Sequence, residues 1–253
     1  MNGRVDGIWR HPVKGLTPEP VACAELTAGA YFPGDRCYAI EVGPSGFDPA
    51  HPAPVPKQRF AVLARFPSLA RVKTRLDDRT GVFHLTDAHG FGVETRLDTA
   101  EGREGLAAFL QAFLGEEVQQ RLCVLESPAG HRFMDHPAGH VSLVNLASVL
   151  ALSKAIGQPV DPLRFRANLY IDGLAAWAED DWVPGAPLRL GEAEVSVFRP
   201  IVRCRATEVD LTTGQRDIDI LEGLRKNFSR DTLGTYVSVS RSGRVAIGDG
   251  VSL

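Results

Sequence analysis

The sequence predicts a mainly β chain with a few helices (α+β), laid out in two parts, and three observations carry that expectation. Apolar runs of strand length recur between Gly, Pro, Asp and Asn, a spacing that suits antiparallel meanders rolled into a barrel or sandwich. Only a few stretches keep the helical period. The composition, 44% hydrophobic and 23% charged, is enough to build a core and excludes global disorder. A length of 253 residues admits one large β-rich domain or two modest ones.

In chain order, strands are expected at Val21–Leu26, Cys37–Val42, Phe60–Ala64, Arg71–Leu76, Val82–Thr86 and Phe91–Arg96. A helix follows, with Leu106, Phe109, Leu110, Phe113 and Leu114 on one face. Asp98 and Glu101 serve as its capping pair and Gly115 as its stop. Val118–Leu125 reads as another strand. The segment Ser127–Gly139 is rich in Pro, Gly and His and reads as a boundary or a functional loop.

The second part repeats the style. Asn145 caps a helix over Leu146–Ile156 that Gly157 and Pro159 end. Strands are expected at Leu169–Asp172, Leu188–Leu190, Glu194–Phe198, Arg205–Val209, Tyr236–Ser240 and Arg244–Ile247. A short helix at Ile220–Phe228 turns Ile220, Leu221, Leu224 and Phe228 inward. The two parts meet near residues 120–140.

Charge and hydropathy narrow the function classes. A net charge of -3 lacks the basic surplus that a general nucleic-acid binder needs to displace counterions, so no nucleic acid is expected as partner. The most apolar stretch, Val141 to Ile156, is interrupted by Ser142, Asn145, Ser148, Ser153 and Lys154. It falls short of the unbroken run of about 20 residues that a bilayer requires, so no membrane partner is expected. The first residues lack the apolar segment of a secretory signal, which makes the cytoplasm the expected location. Cys23, Cys37, Cys123 and Cys204 never form C-x-x-C and read as reduced thiols rather than disulfide or ferredoxin-type ligands.

Three groups of residues have chemical potential. Cys204 stands between Arg203 and Arg205, and nearby positive charge stabilises a thiolate that ligates metal or attacks as a nucleophile. A buried strand cysteine acting as apolar filler is the plainer alternative. His131, Asp135, His136 and His140 fall within ten residues and would bind zinc if brought together, although Pro137 and Gly139 prevent the helix that would align them. Lys14, Arg36, Lys57, Gln58, Arg59, Arg166 and Asn168 lie at turn positions. Singly they read as solvated side chains, and together they would cradle a phosphate or another polyanion. No Walker loop, G-x-G-x-x-G, G-x-S-x-G or H-E-x-x-H motif is present.

Several fragments, in this order, resemble the MOSC family (molybdenum cofactor sulfurase C-terminal domain proteins) in the branch with an N-terminal MOSC β-barrel domain. HPVKGL and PGDRCYAI are similar to that domain's Y-P-V-K-S and G-D-R motifs. RFRANLYIDG, AEDDW, RLGEAEVSVFRPIVRC, EVDLTTG, LGTY and RVAIGDGV run colinearly through the C-terminal part. The resemblance implies an N-terminal β-barrel-like domain over 1–125 and a MOSC domain over 126–253. It also implies a molybdenum cofactor (Mo-molybdopterin) held by one protein cysteine, which by motif position is Cys204. Lys14, Arg36, Arg166, Asn168 and Arg203 would contact that cofactor, with Asn145 as a further candidate. The implied activity is a molybdenum-dependent oxidoreductase that reduces N-hydroxylated small molecules by two-electron oxygen-atom transfer.

The sequence departs from the family pattern at Ile201, where the first cysteine of P-C-x-R-C is usual, and at Gly15, where Ser is usual. Ala167 stands for Pro, and Leu233 for the Phe of F-G-x-Y. Because the four-cysteine ferredoxin-like domain of some relatives does not follow residue 253, an external electron-transfer protein is the expected partner. A carrier of the cofactor, or a sulfur-transfer protein using Cys204, is the alternative from a binding class. A zinc hydrolase built on His131, His136 and His140 is a third. In the molybdenum oxidoreductase reading, the Ser127–His140 segment would form part of the substrate mouth, with a histidine delivering protons.

Overall fold

A computed structural model describes residues 3–136 and 140–252. The first part runs β1 (Gly3–Arg10), β2 (Val13–Lys14), β3 (Glu19–Pro20), β4 (Cys23–Leu26), β5 (Tyr38–Val42), β6 (Lys73–Leu76), β7 (Val82–Thr86) and β8 (Gly92–Arg96). It closes with α1 (Ala100–Leu114) and β9 (Leu122–Glu126). Then come β10 (Val141–Asn145), α2 (Leu146–Ile156), β11 (Leu169–Asp172), β12 (Pro187–Leu190), β13 (Ala193–Val202) and α3 (Ile220–Phe228). The last strands are β14 (Thr232–Arg241), β15 (Gly243–Ala246) and β16 (Gly250–Ser252). The chain is mainly β with a few helices, as the sequence predicts.

Seven strands close a barrel in the order β11-β10-β14-β13-β12-β16-β1, and β1 returns to β11 to seal the ring. Closure removes the exposed sheet edges that would otherwise invite aggregation. Alternation fills the interior: Val5 and Ile8 of β1, Val195 and Val197 of β13, and Val237 and Val239 of β14 all point into one core. β10 is buried along its whole length because α2 and α3 cover its outer face. Short β3 extends the sheet beyond β1, and β4 pairs with β15. Strands from the first 26 residues therefore hydrogen-bond to strands of the second part, across the expected 125/126 division.

The rest of the first part forms two three-stranded sheets, β2-β5-β9 and β6-β7-β8, around a core with α1. Leu106, Leu110 and Leu114 recur at helical spacing and face Phe83, Leu85, Leu122 and Val124. Thr99, rather than Asp98, caps α1 by accepting from Gly102 N. A buried Arg10 joins the two cores: its Nε donates to Glu19 at 2.5 Å, and its Nη1 and Nη2 to Asp78 and the Leu76 carbonyl.

Two strand expectations fail. Arg205–Glu208 is a 3-10 turn, since Thr207 N and Oγ1 both return to the Cys204 carbonyl at 3.0 and 2.9 Å. Phe60–Ala64 keeps only an isolated bridge from Phe60 to Glu41. β1, β2, β3, β10 and β16 lie outside the expected strands.

Candidate functional site

Cys204 sits where β13 runs out. Register shifts against β14 at Val197/Arg199 and Pro200/Val202 bend the strand end, and such bulges re-aim the residues that follow. Arg203 N then bonds Asp231 O at 2.8 Å, and Cys204 stays extended at φ -136 before the turn begins. Cys204 lines a cavity of about 380 Å³ together with Arg36, Lys57, Asp135, His136, Arg166, Arg203 and Tyr236. A smaller recess adjoins it, lined by Lys14, Gly15, Arg36, Lys57, Asp135, Arg166 and Cys204.

Each cation is aimed by its local backbone. Arg36 takes a left-handed φ of 47, fixed by its N–H on His11 O at 2.7 Å. Its guanidinium pairs with the fully buried Asp35 and donates from Nη2 to the Arg166 carbonyl at 3.1 Å. Arg166 is likewise left-handed, φ 53, as the cap of the 3-10 turn Pro162–Phe165. Its Nη1 is buried without a hydrogen-bond partner. Arg203 is anchored on the Leu233 carbonyl at 2.8 Å and on the Phe165 carbonyl at 2.8 Å, with its guanidinium over the Phe165 ring. Burial pulls both Arg166 and Arg203 down to about 10, and the closeness of Arg36 adds to the effect at Arg166.

The acidic counterweight is Asp135, from the loop between the parts. Lys14 Nζ donates to it and to the Phe133 carbonyl at 2.9 Å, and Lys57 lies 4.0 Å from its other oxygen. Partial desolvation disfavours the charged form of this half-exposed carboxylate, yet Lys14, Lys57 and Arg36 together hold it well below the usual carboxylate range. Burial pulls Lys14 down. Lys57, in turn, is raised, since Asp135 and the neighbouring Cys204 sulfur outweigh its desolvation. The cavity wall thus carries a surplus of cations around one thiol, which suits an anionic ligand with several acceptor groups.

Of the sequence candidates, Cys204, Arg36, Arg166 and Arg203 converge on the main cavity, and Lys14 on its recess. Asn145 and Asn168 do not line either space, which corrects their placement. Asn145 caps α2 by accepting from Ala147 N at 3.1 Å, and its Nδ2 donates to Ala175 O and Glu179, both at 2.8 Å. Asn168 is buried and spends its side chain on Ser142 N, Ser142 Oγ and the Trp9 carbonyl. The three histidines also part company. His131 meets Phe47 and Phe133, His136 meets Phe198 and Tyr236, and His140 packs on Tyr31. Among the described residues no cluster of His, Cys, Asp and Glu is arranged to hold a metal ion, so the zinc grouping is not formed.

Lys57, Asp135 and His136 were visible in the sequence only as a basic turn and a histidine-rich loop, and Tyr236 as the end of LGTY and the start of an expected strand. Their convergence is tertiary. Arg199 in the wall carries no local signal, and Phe198 reaches the site only through its ring contact with His136.

Comparison with known proteins agrees with this architecture. Residues 2–120 match the MOSC N-terminal beta barrel domain and residues 130–252 the MOSC domain. Mitochondrial amidoxime-reducing component 1 of Homo sapiens is 25% identical, across 99% of this chain and 83% of its own length. Molybdenum cofactor sulfurase of Caenorhabditis elegans is 34% identical over 38% of this chain and 14% of its own. The crystal structure of the YUAD protein from Bacillus subtilis superposes with a TM-score of 0.47 at 12% identity, over 99% of this chain and 94% of that one. With both domains present in sequence order, the chain belongs to the MOSC family, in the branch that carries the N-terminal beta barrel domain.

Proposed function

We propose that this chain binds the molybdenum cofactor in the Cys204 cavity and acts as an oxidoreductase on N-hydroxylated small molecules, with electrons from an external transfer protein. The observation that carries the reading is that one cysteine lines a single cavity together with Arg36, Arg166 and Arg203. The fit is chemical. A pyranopterin dithiolene with its phosphate is an anion rich in acceptors, and the unpartnered Nη1 of Arg166 is a donor waiting for one. Cys204 would supply the protein sulfur to the metal, Arg36, Arg166 and Arg203 the donors, and Lys14 with Asp135 the fixed edge of the recess. When bound, the cofactor supplies two-electron oxygen-atom transfer.

The protein's own part is orientation and proton supply. Asp35 and the Arg166 carbonyl hold the Arg36 fork, and the Leu233 and Phe165 carbonyls hold Arg203, so little side-chain freedom remains to be lost on binding. His136 and Tyr236 face each other at 6.1 Å on the cavity wall and are the groups that would hold or pass a proton there. We place the working protein in the cytoplasm, with no nucleic acid or membrane as partner. Among the described residues no helix is long and apolar enough to cross a membrane.

Protein produced in a host that makes the cofactor is expected to carry stoichiometric molybdenum by elemental analysis and to reduce a hydroxylamine or amidoxime with an artificial donor. Cys204→Ser should keep its circular dichroism and lose both. Bound molybdenum without reduction of any N-hydroxylated compound would exclude the reaction and leave the site standing. The similarity of one segment to molybdenum cofactor sulfurase favours a second reading, a carrier or sulfur-transfer protein. A persulfide on Cys204 by mass spectrometry, without metal, would select it.

A further inference from the structure

A basic strip leads away from the mouth of the Cys204 cavity, and we infer that it docks the acidic face of the electron-transfer protein. The inference rests on the oxidoreductase reading above, which calls for such a donor. Two segments build the strip. Residues 57–73 carry Lys57, Arg59, Arg65, Arg71 and Lys73 with no Asp or Glu among them. Residues 199–216 carry Arg199, Arg203, Arg205 and Arg216 against Glu208 and Asp210. This concentration of cations stands on a chain whose net charge is -3.

The fold sets the two segments side by side. Arg216 Nη2 donates to the Ala64 carbonyl at 2.8 Å, and Lys73 Nζ to the Leu211 carbonyl at 2.9 Å. A Cβ on Gly214 would lie 3.2 Å from Arg71 Cγ. Ala64 lines the recess beside Cys204, and the exposed Arg205 follows Cys204 directly, so the strip begins at the site. Arg65, Arg71, Lys73 and Arg216 line neither the cavity nor its recess, so a small ligand held in those spaces does not account for them.

These charges are held in place without being cancelled. Arg65 donates to the Gln58 carbonyl at 3.1 Å and lies over the Phe66 ring, and Arg71 lies over the Phe113 ring. Carbonyls and rings fix a cation but bring no negative charge to it. The acids nearby are committed elsewhere: Glu208 to Arg205, Asp210 and Asp217 to the buried Arg164, and Glu117 to the Ser68 hydroxyl. On other parts of the surface Arg4, Arg96, Arg103 and Arg230 are each paired with a carboxylate.

The chemistry of the strip selects the partner. A row of fixed, exposed cations attracts an anionic surface and steers its approach. A single-stranded nucleic acid also calls for exposed rings on which bases stack, and a bilayer surface for exposed apolar side chains. No large apolar residue within 57–73 or 205–216 is exposed. The acidic face of a protein needs neither. Cleaving the N–O bond of a hydroxylamine consumes two electrons and two protons and yields the amine and water, so the donor is oxidised by two electrons in all. A strip that ends beside Cys204 brings that donor to the edge of the cavity where the electrons are used.

The test uses the intact, cofactor-loaded protein, with a plant-type iron–sulfur ferredoxin of acidic surface as the probe and calorimetry as the readout. Affinity should fall about tenfold or more as salt rises from about 20 to about 200 mM. It should fall by as much in the triple variant Arg65→Glu, Arg71→Glu, Arg216→Glu. The variant's rate with reduced viologen, a small donor that needs no docking, should stay within about twofold of the native rate. Changing the same three residues to Lys keeps the charge and should keep the affinity. Affinity indifferent to salt and to the Glu substitutions overturns the proposal. So does tighter strip-dependent binding to duplex DNA or to phosphatidylserine vesicles than to the ferredoxin. Viologen-driven reduction with charge-indifferent binding refutes the docking surface alone, whereas strip-dependent binding with no viologen-driven reduction of any N-hydroxylated compound refutes the reaction.

Discussion

Arg36 and Arg166 lie 130 residues apart, both in left-handed backbone conformation, and the side chain of the first holds the carbonyl of the second at 3.1 Å. That bond ties the N-terminal part to the barrel part at the cavity wall. A non-glycine residue in that conformation costs roughly 1 kcal/mol or more, so each position persists because its surroundings dictate it.

Arg36→Ala removes this tie and leaves Asp35 buried without its cation. The expected loss is about 3–5 kcal/mol in urea denaturation, the cost of an orphaned buried charge. Arg36→Lys should recover part of it, since a point charge still reaches Asp35 but cannot bridge to Arg166. A loss under about 1 kcal/mol for the alanine variant would show that Asp35 finds another partner.

Arg166→Met should separate stability from binding. The native side chain holds a buried, partly unpaired charge that burial pulls down to about 10, so replacing it with an apolar chain of similar length is expected to leave stability equal or raise it by about 1 kcal/mol. Calorimetry with inorganic tungstate or phosphate should show weaker binding by the variant. A clear drop in melting temperature with unchanged anion affinity would contradict the assignment of Arg166 to ligand binding.

His11 makes stability depend on pH. Burial, with Arg36 and Arg166 nearby, lowers its folded-state value from the ordinary 6.5 to about 3. Between those values the unfolded chain binds a proton that the folded one refuses, so stability falls as pH drops from 6.5 towards 3, by up to about 1.4 kcal/mol per pH unit. Asp35 adds to the loss further down, since Arg36 and His11 overcome its burial and hold it below the usual carboxylate range. Denaturation midpoints from pH 7 to pH 4 check this, and His11→Gln should flatten the upper part of the curve. An equal slope in that variant would assign the dependence to other groups.

Gly15 tests how closely the recess is built. It adopts φ +91, and a Cβ there would lie 2.0 Å from the Ala61 carbonyl oxygen. Gly15→Ser, the residue usual in the similar motif, is expected to cost on the order of 2–4 kcal/mol and to disturb the neighbouring Lys14. Thermal denaturation reads the cost. An unchanged melting temperature would mean that the segment at Ala61 and Val62 yields easily.

What the sequence discloses is local. α2 with its Asn145 cap, α3 and β7 occupy the expected residues, because caps and hydrophobic period act within one element. The same locality misleads at Arg205–Val209, where the apolar–polar alternation of a strand yields to Thr207 folding back on Cys204. Asn168 looked like a ligand for an anion because it follows Arg166, but its direction is set by Ser142, a neighbour only in space. The segment that brings Lys57 beside Cys204 leaves no periodic trace, and the strand expected at Tyr236–Ser240 says nothing of what it faces, so their convergence needed the fold.

The ring of strands has a consequence for how the molecule is made. β1 must be flanked by β16, more than 200 residues further along, and by β11. The circle cannot shut until both of those distant strands are in place, and contacts of such long sequence separation form slowly. Until then there is no completed barrel wall to offer a guest. Loss of either β1 or β16 should unlatch the same seam.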